Sequence, residues 1–430
     1  MLPRIKIAYL NGQLGTVGES PDGLFALVVN MRSSELAGIP IKIRSVDDLN
    51  IYADKGMNEN SEPHVYKFAR QFYAEAEVGT EVYIFGVPLK TPAAEVFSVE
   101  SDGHLRYLLN ATNGDIRGLF VGPLFANSGA NSVNLEDGVM PVDGGLDEGV
   151  MTTEMSVGDD GVATLATGAM AQLAPLAQLA PLAQALAEWF TTQLYAPIFV
   201  VLSGINYAEA TDFSEAKYNR VAVLIGDDKQ SSGCDCIGLL AGRLASIPVH
   251  RNCGRVKDGP LSPVEMFLGD YPAADAEQYG IVSELYNKRY ITPRQYVGRA
   301  GFFFTDDNMA CDPTDDYAHL AHRRVIDKAY RITYDTLLDM MLDELAVNED
   351  GTLQVGVVKA WQQAVENAIN AQMTANGELS ASEDGAGVEC YINENQNVLA
   401  TSKVEVTVKV RPFGYARYID VNLGFQVTSN

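Results

Sequence analysis

Four residues of metal-ligating type lie close together in the second half of the chain. Cys234, Cys236, His250 and Cys253 supply thiol and imidazole groups, and the His-x-x-Cys half has a spacing found in zinc sites. The C-x-C half is a weak zinc signature, because buried thiols are also ordinary core side chains. The sequence therefore gives a weak metal candidate, and core thiols are the favoured interpretation.

A run of acidic side chains is the second candidate for chemistry, since carboxylates bind hard cations such as calcium. The run comprises Asp306, Asp307, Asp312, Asp315 and Asp316. His319 and His322 follow on adjacent turns of a predicted helix, but no nucleophile stands beside them. Because Asp312 followed by proline is also typical of a helix start, helix capping is the favoured role of the last three acids.

Common catalytic signatures are missing from the sequence. It contains no G-x-x-x-x-G-K-[ST], no G-x-S-x-G and no H-E-x-x-H. Gly238 and Gly242 lie in a run of small residues, where close helix packing explains them. We therefore expect neither enzymatic activity nor a cofactor.

Composition indicates a globular protein of several domains. The chain has 430 residues, of which 47% are hydrophobic and 20% charged. Its 31 basic and 56 acidic residues give a net charge of −25, which argues against a nucleic-acid partner. Five cysteines are too few and too scattered for a disulfide framework, and the first residues lack a signal-peptide pattern. We expect the chain to fold in the cytoplasm.

Charge also divides the chain into segments. No lysine or arginine occurs between Arg117 and Lys217, a stretch of 99 residues that carries twelve acids. Such an abrupt shift is typical of an inserted module. We predict four segments, 1–117, 118–216, 217–403 and 404–430: the two parts of a core with an N-terminal strand arm, an acidic outward-facing insertion between them, and a C-terminal ribbon.

Within the insertion, residues 161–187 are uncharged and contain the sequence AQLAPL twice. The length suffices for a membrane span, but the prolines, the glutamines and the acidic flanks argue against one. Leucines recur there at every third position, which suits an extended rod better than an α-helix. We favour a linker that enters a helix at Ala183–Gln193, and we expect no membrane insertion.

Apolar spacing predicts an α/β pattern on both sides of the insertion. The predicted strands are Arg4–Leu10, Leu24–Asn30, Glu81–Val87, Arg220–Gly226 and Val297–Thr305. The predicted helices are Ser61–Glu77, Ile237–Ser246, Asp275–Asn287, Asp312 to about Leu345, and Val355–Thr374. The run Leu24–Asn30 is apolar throughout, which is typical of a strand covered on both faces.

The chain closes with its clearest period-two pattern, a predicted β-ribbon. Valines alternate with polar residues from Val404 to Val410, and the second half places Ile419, Val421, Leu423, Phe425 and Val427 on one face. The N-terminal strand is formed by Arg4, Ile5, Lys6, Ile7, Ala8 and Tyr9. Because neither terminal strand has a following segment to cover its edge, both invite pairing with another chain.

The long helix from Asp312 has an unusual charge order. Its bases Arg323, Arg324, Lys328 and Arg331 precede the acids Asp335 and Asp339, which opposes the helix dipole. The two interpretations are pairing with another surface, and a solvated face with internal pairs such as Asp327–Arg331.

The run from Tyr290 to Asp307, YITPRQYVGRAGFFFTDD, resembles contractile tail sheath proteins, particularly those of Bacteroidetes phages and related contractile injection systems. Ala245–Leu261, Arg323–Tyr334 and the closing ribbon are similar to the same family. The resemblance covers about 219–427 firmly and 1–87 more weakly, and it omits 118–216.

The resemblance implies an α/β (α+β) fold: a core of mixed sheet flanked by helices, with a β-rich inserted domain and strand-forming terminal extensions. It implies a structural subunit that stacks as hexameric rings around an inner tube and contracts to drive the tube through a cell envelope. The terminal strands would pair with neighbouring copies. The resemblance does not place the tube contact residue by residue; the charge order of the long helix makes its six charged residues candidates for facing neighbours or the tube.

The partners implied are other copies, the inner tail tube protein, and baseplate and tail terminator proteins. Assembly would take place in a bacterial cytoplasm, and the mature protein would lie in a virion tail or an injection particle. Two alternatives stay open from the residues: a metal-dependent enzyme built on the cysteine, histidine and acidic candidates, and an adhesin that uses 118–216. The sequence does not distinguish a phage tail from a bacterial injection system, nor does it reveal the target cell.

Overall fold

A computed structural model describes residues 21–89, 91–124, 152–157, 163–168, 174–204, 210–230, 233–383 and 385–424. The chain divides into two compact units, one ending at Arg331 and the other beginning at Ile332. The predicted strand Arg4–Leu10 lies outside the described residues, as do Phe425 and Val427 of the predicted ribbon.

Strands and helices alternate along the first unit, and the numbering of elements continues into the second unit. The strands are β1 (Phe25–Met31), β2 (Pro40–Ile43), β3 (Val82–Pro88), β4 (Gly118–Val121), β5 (Thr152–Val157), β6 (Ala163–Gly168), β7 (Phe199–Ser203), β8 (Lys217–Tyr218), β9 (Val221–Leu224), β10 (Phe267–Leu268), β11 (Tyr271–Pro272), β12 (Pro293–Arg294), β13 (Phe303–Phe304), β14 (Ala310–Cys311), β15 (Val388–Ile392) and β16 (Val406–Val410). The helices are α1 (Pro63–Glu75), α2 (Ala93–Val96), α3 (His104–Ala111), α4 (Leu176–Gln193), α5 (Ile237–Ser246), α6 (Ala273–Ala276), α7 (Ile281–Asn287), α8 (Leu320–Leu338), α9 (Val355–Ile369) and α10 (Val398–Thr401).

A six-stranded sheet with the order β2-β3-β1-β4-β7-β9 forms the centre of the first unit. Five strands are parallel, and β2 is an antiparallel edge strand. Parallel strands need helices on both faces, which explains why β1 is apolar throughout. The predicted α/β class with a mixed sheet flanked by helices is confirmed.

The two faces of this sheet bury separate cores. Along β1, Phe25, Leu27 and Val29 pack with α1 and α5, whereas Ala26 and Val28 pack with α3 and α4. This alternation is the period-two geometry of a strand, applied to a residue run in which both faces are apolar.

α1 and α5 pack unusually closely. A Cβ added to Gly238 would lie 2.2 Å from the carbonyl oxygen of Phe68, and one added to Gly242 would lie 2.2 Å from that of Phe72. The prediction that close packing explains these two glycines is confirmed, as are the bounds predicted for α5.

The predicted helix from Asp312 to about Leu345 is wrong at both ends, because α8 is Leu320–Leu338. Residues 309–318 form a closed loop in which Met309 N donates to Ala318 O over 3.0 Å. Asp312 accepts from Thr314 N at 2.8 Å within this loop, an Asx turn that competes with helix capping.

The cap of α8 comes from Asp307, earlier in the chain. Its carbonyl oxygen accepts from Leu320 N at 2.7 Å, and its carboxylate accepts from Ala321 N at 2.8 Å. Local sequence spacing does not reveal such a cap, because the acceptor is supplied across the loop.

Two further predictions need correction. The helix at Asp275–Asn287 is split into α6 and α7 by Gly280, which adopts a φ of +75°. The predicted strand Val297–Thr305 reduces to β13, because Gly298 and Gly301 take positive φ angles that interrupt an extended run.

The repeated AQLAPL segment enters a helix earlier than predicted. α4 begins at Leu176 and contains Pro181 in its second turn. Leu179, Ala183 and Leu186 lie buried along one side of it. Burial of this apolar face outweighs the hydrogen bond that proline removes, so the predicted linker is helical from residue 176 onward.

The predicted segment 118–216 contributes β4, β7 and α4 to the first unit's core, and it contains the antiparallel pair β5–β6. The four-segment division of the chain stays a prediction.

Candidate functional site

The second unit contains a small antiparallel sheet near the end of the chain. β15 pairs with β16 from Val388↔Val410 to Ile392↔Val406. Val388, Cys390 and Ile392 are buried, and α9 packs against β15. The predicted strand in 404–410 is observed as β16, and it pairs with β15. The described residues 419–424 form no strand, so a ribbon with 419–427 stays a prediction.

The sequence analysis did not predict β15, although the strand has a clear alternating pattern. Val388, Cys390 and Ile392 alternate with exposed Glu389 and Tyr391. The signal is the same period-two alternation that identified β16, over only five residues.

One edge of this two-stranded sheet is covered by its own subunit. The amide of Cys390 donates to Glu366 Oε1 of α9 over 2.8 Å, so it points away from β16. In an antiparallel pair of strands, a residue whose amide points away from the partner strand faces a residue whose own amide and carbonyl groups also point away from the pair. Cys390 lies opposite Val408, so Val406, Val408 and Val410 present their backbone groups along the other edge of the sheet.

That outer edge of β16 has no neighbouring strand among the described residues. We call it the open β16 edge. Its side chains continue the pattern of the sheet, with the three valines half-buried on the α9 side and Thr407 and Lys409 exposed. An edge of this kind is a template for strand addition.

The chain beyond β16 is extended and exposed. Residues 418–424 have no regular secondary structure and form no backbone hydrogen bond with other described residues. Ile419 is 76% exposed, Val421 69% and Leu423 94%. As a strand, this segment would place these three large apolar side chains on one face, and no described residue covers them.

The bases predicted to face neighbours are engaged inside the first unit. Arg323 and Arg324 are buried, and Arg324 donates to Leu244 O at 2.9 Å. Lys328 and Arg331 lie 2.7 and 2.8 Å from the carboxylate of Asp22. This placement gives the four bases contacts within their own subunit.

Asp335 and Asp339, the acids of the same predicted set, are exposed. An inter-subunit or tube-facing role for these two residues stays a prediction.

The four cysteine and histidine metal candidates do not form a cluster. Among the residues that the structure describes, the ligand atoms that come within 4.8 Å of one another belong to a different set: Asp306, Asp307 and His319. Cys234 Sγ lies 3.1 Å from Lys67 Nζ, and burial raises the pKa values of Cys236 and Cys253 well above the usual value. Protonated, buried thiols agree with the core interpretation.

The Asp306–Asp307–His319 cluster is explained by structural contacts. Asn252 Nδ2 donates to carboxylate oxygens of both aspartates, and Asp307 also caps α8. Burial would raise the pKa of Asp307, but hydrogen bonding to His319 and the charge of that residue hold it well below its usual range. The carboxylates here serve a loop and a helix start.

Comparison with known proteins places the chain in a family. The family described as DUF2586, N-terminal domain, matches residues 2–308, and DUF2586, C-terminal domain, matches residues 316–430. The chain belongs to the DUF2586 family. No curated protein matches this DUF2586 sequence.

Solved structures show which fold the DUF2586 chain has. A chain of the 6-fold symmetrised anti-feeding prophage baseplate is 14% identical, with a TM-score of 0.55 and 99% of both chains covered. A chain of the PVC sheath complex, an extracellular contractile injection system in its contracted state, is 14% identical, with a TM-score of 0.57 and coverage of 99% of this chain and 98% of that one.

A chain of the anti-feeding prophage baseplate in its contracted state is 9% identical, with a TM-score of 0.51 and coverage of 98% of this chain and 97% of that one. The DUF2586 chain therefore has, over almost its whole length, the fold found in a contractile sheath, and the resemblance noted in its sequence is confirmed at the level of the fold. Within the described part of the chain, no helix combines the length and the apolar character that a membrane span requires.

Proposed function

We propose that this DUF2586 protein is the structural subunit of a contractile sheath. Its copies stack as hexameric rings around an inner tube, and contraction drives the tube through a target envelope. The observation that carries the proposal is the exposed apolar strand face of residues 418–424 in a chain that also presents an open β16 edge. The fold shared with the PVC sheath complex and the 6-fold symmetry of the anti-feeding prophage baseplate support it.

The segment 418–424 and the open β16 edge are chemically complementary. A donated strand places Ile419, Val421 and Leu423 beside the valines of β16 and extends the apolar face that packs on α9. About five or six ladder hydrogen bonds at roughly 0.5–1.5 kcal/mol each stabilise one such contact by several kcal/mol. Repetition around every ring makes the assembly cohesive.

The N-terminal strand Arg4–Leu10 is proposed as a second donor. Its alternation of Ile5, Ile7 and Tyr9 with Lys6 and Ala8 is that of a half-buried strand. The remaining proposed partners are the inner tube protein, the baseplate and the tail terminator. The proposed site of assembly is the bacterial cytoplasm, and the mature location is a virion tail or an injection particle.

A structural rather than enzymatic role is part of the proposal. The metal-dependent enzyme was built on Cys234, Cys236, His250 and Cys253 together with the acids of 306–316. The first four do not assemble into a ligand set among the described residues. The carboxylates of Asp306 and Asp307 do come together with His319, but they accept hydrogen bonds from Asn252 and from the first turn of α8. The adhesin alternative gains no support from the proteins that share this fold.

Truncation tests the proposal. Removing residues 418–430 deletes the exposed strand face, and removing 1–20 deletes the N-terminal arm. We expect each variant to fold, with the circular dichroism and thermal midpoint of the intact protein, but to form no long tubes in negative-stain micrographs. Normal tubes from either variant would refute the role proposed for that arm.

A matched pair of variants separates the apolar face from the length of the arm. Val421→Lys with Leu423→Lys changes the apolar face, whereas Asn422→Lys with Gly424→Lys adds the same charge to other positions of the segment. We expect the first pair to abolish tubes and the second to retain them. If both double variants form tubes, or if neither does, pairing of the apolar side chains is excluded as the basis of assembly.

A further inference from the structure

The end of α8 and the turn that follows it present large apolar side chains to water. Tyr334, Leu338 and Met341 are 39%, 43% and 64% exposed, and their spacing places them along one side of the helix and its continuation. Leu342 is 97% exposed and takes a φ of +66°, a left-handed conformation that leucine rarely adopts. A strained backbone that holds a leucine in water is typical of a surface that meets a partner.

Only acidic charges accompany these apolar side chains. The chain from Ile332 to Asp350 contains no lysine or arginine. Its exposed acids are Asp335, Asp339, Asp343 and Glu344, and no base of the described residues forms an ion pair with them. Because the dipole at a helix C-terminus favours bases, this charge does not stabilise α8 itself. We call residues 334–344 the α8 end face.

The α8 end face leads directly to the start of β16. Leu345, the next residue, packs with Val404 and Val406 in the apolar cluster of the second unit. Val406 is the first residue of β16, so the face lies near that end of the open β16 edge. The other end of the edge, at Val410, is about 13 Å away, since a strand rises roughly 3.3 Å per residue.

The segment 411–417, which joins β16 to residues 418–424, has the complementary composition. From residue 406 to residue 419 the chain contains no acid and three bases, which are Lys409, Arg411 and Arg417. The guanidinium carbon of Arg417 lies 5.2 Å from the ring centre of Tyr415, so a positive charge and an aromatic surface occur side by side. In a chain with a net charge of −25, such a segment suits an acidic apolar surface.

Within its own subunit, this segment begins at the opposite end of the sheet. The amide of Arg411 donates to Gly387 O over 2.9 Å, and its carbonyl oxygen accepts from Ser380 N over 2.9 Å. Both contacts lie beyond the pair Val388↔Val410, whereas the α8 end face lies near Val406. A second copy is therefore the better source of the segment.

We propose that the α8 end face binds the segment 411–417 of a neighbouring copy. The aromatic side chains of the segment cover Leu338, Met341 and Leu342, and its arginines lie among the acids. The inference rests on the proposed sheath function, because the donated strand 418–424 brings the segment to the neighbour. It also fixes the direction of that strand.

A donated strand parallel to β16 begins beside Val406, so the residues that precede it reach the α8 end face. An antiparallel strand begins beside Val410 and carries the segment 411–417 away from the face. Docking of the segment therefore requires the donated strand to run parallel to β16.

A charge reversal tests the face. Asp339→Arg places a like charge opposite the docked arginines, so we expect it to raise the protein concentration required for tubes at least about ten-fold. The monomer should keep its thermal midpoint, because a base suits the end of a helix. Glu383→Arg makes the same charge change at an exposed position in the loop 380–387, near the Val410 end, and should leave assembly unchanged.

Sedimentation of tubes over a protein concentration series measures both variants. Assembly of Asp339→Arg at the concentration that the parent protein requires would overturn the proposal. A loss in Glu383→Arg as large as that in Asp339→Arg, or larger, would overturn it as well.

A cross-link identifies the occupant and the copy that supplies it. Leu342→Cys with Ala416→Cys adds two thiols at exposed positions, whereas the five native cysteines are buried. A short bismaleimide reagent added to tubes should join copies into a ladder of covalent oligomers on a denaturing gel. Glu383→Cys with Ala416→Cys should give no ladder. Cross-linking confined to monomers, no ladder from the first pair, or a ladder from the second would overturn the proposal.

The intact protein separates this inference from the proposed function. If it forms no tubes, both the sheath function and the docking are refuted, because the docking needs a neighbouring copy. If it forms tubes but the pair at 342 and 416 gives no ladder, only the docking is refuted.

Discussion

At the scale of single residues, the charges of α8 show what sequence spacing reveals and what it misses. The sequence shows that bases precede acids along α8, an order that opposes the helix dipole. The pair Asp327–Arg331, which the sequence predicts for a solvated helix face, is wrong. Arg331 instead lies 2.8 Å from Asp22, which is 309 positions away in the chain, and Asp327 pairs with Arg220 and Arg323. A solvated helix face and a buried ionic network have the same local sequence, because the difference lies in residues brought together by the sheet.

Asp327 offers a direct test of this network. Asp327→Asn leaves Arg220 and Arg323 buried without a counter-charge, so we expect a loss of about 3–5 kcal/mol in the free energy of unfolding. Asp335→Asn, at an exposed position of the same helix, should change it by less than about 0.5 kcal/mol. Urea denaturation measures both, and similar losses in the two variants would contradict the buried network.

A histidine supplies a prediction about pH. Burial, with smaller contributions from the charges of Lys67 and Arg32, lowers the pKa of His64 to about 4, against an ordinary value of 6.5. Between these two values the unfolded chain binds a proton that the folded chain does not, so stability falls as the pH drops from 6.5 to 4.

We expect His64→Gln to remove about 2–3 kcal/mol of that acid-induced loss. The comparison is the free energy of unfolding at pH 7 minus that at pH 4.5, measured by urea denaturation for both proteins. An equal difference in parent and variant would show that His64 does not contribute.

At the scale of secondary-structure elements, predictions succeeded where burial and spacing agree. The continuous apolar run of β1 and the bounds of α5 follow from the sequence because helices cover both faces of a parallel sheet. Predictions failed at element ends. The cap of α8 comes from Asp307 across a loop, glycines with positive φ interrupt Val297–Thr305, and the apolar face of α4 outweighs the effect of Pro181.

The contact between α1 and α5 gives the sharpest test at this scale. Gly238→Ala places a methyl group against the Phe68 carbonyl, so we expect a loss of about 1–3 kcal/mol through overpacking. Gly356→Ala, in α9, meets nothing within 4 Å and should stabilise the protein by up to about 1 kcal/mol. Chemical denaturation should give opposite signs, and stabilisation by Gly238→Ala would contradict the close approach of the two helices.

At the scale of the whole molecule, the sequence identified one half of the proposed contact and missed the other. The alternation of Ile419, Val421 and Leu423 marked the donor segment, and the structure shows these side chains exposed. The open β16 edge depends on β15, a five-residue strand, and on Glu366 of α9, which covers the opposite edge. Such an acceptor edge becomes recognisable only when the strand pairing is known.

A cryo-electron microscopy reconstruction of tubes formed by the intact protein tests the central claim most directly. The account predicts that residues 418–424 of one copy form a strand hydrogen-bonded to Val406–Val410 of a neighbouring copy, with Ile419, Val421 and Leu423 on the α9 side. Tubes in which this segment folds back onto its own subunit, or remains without a strand partner, would contradict it.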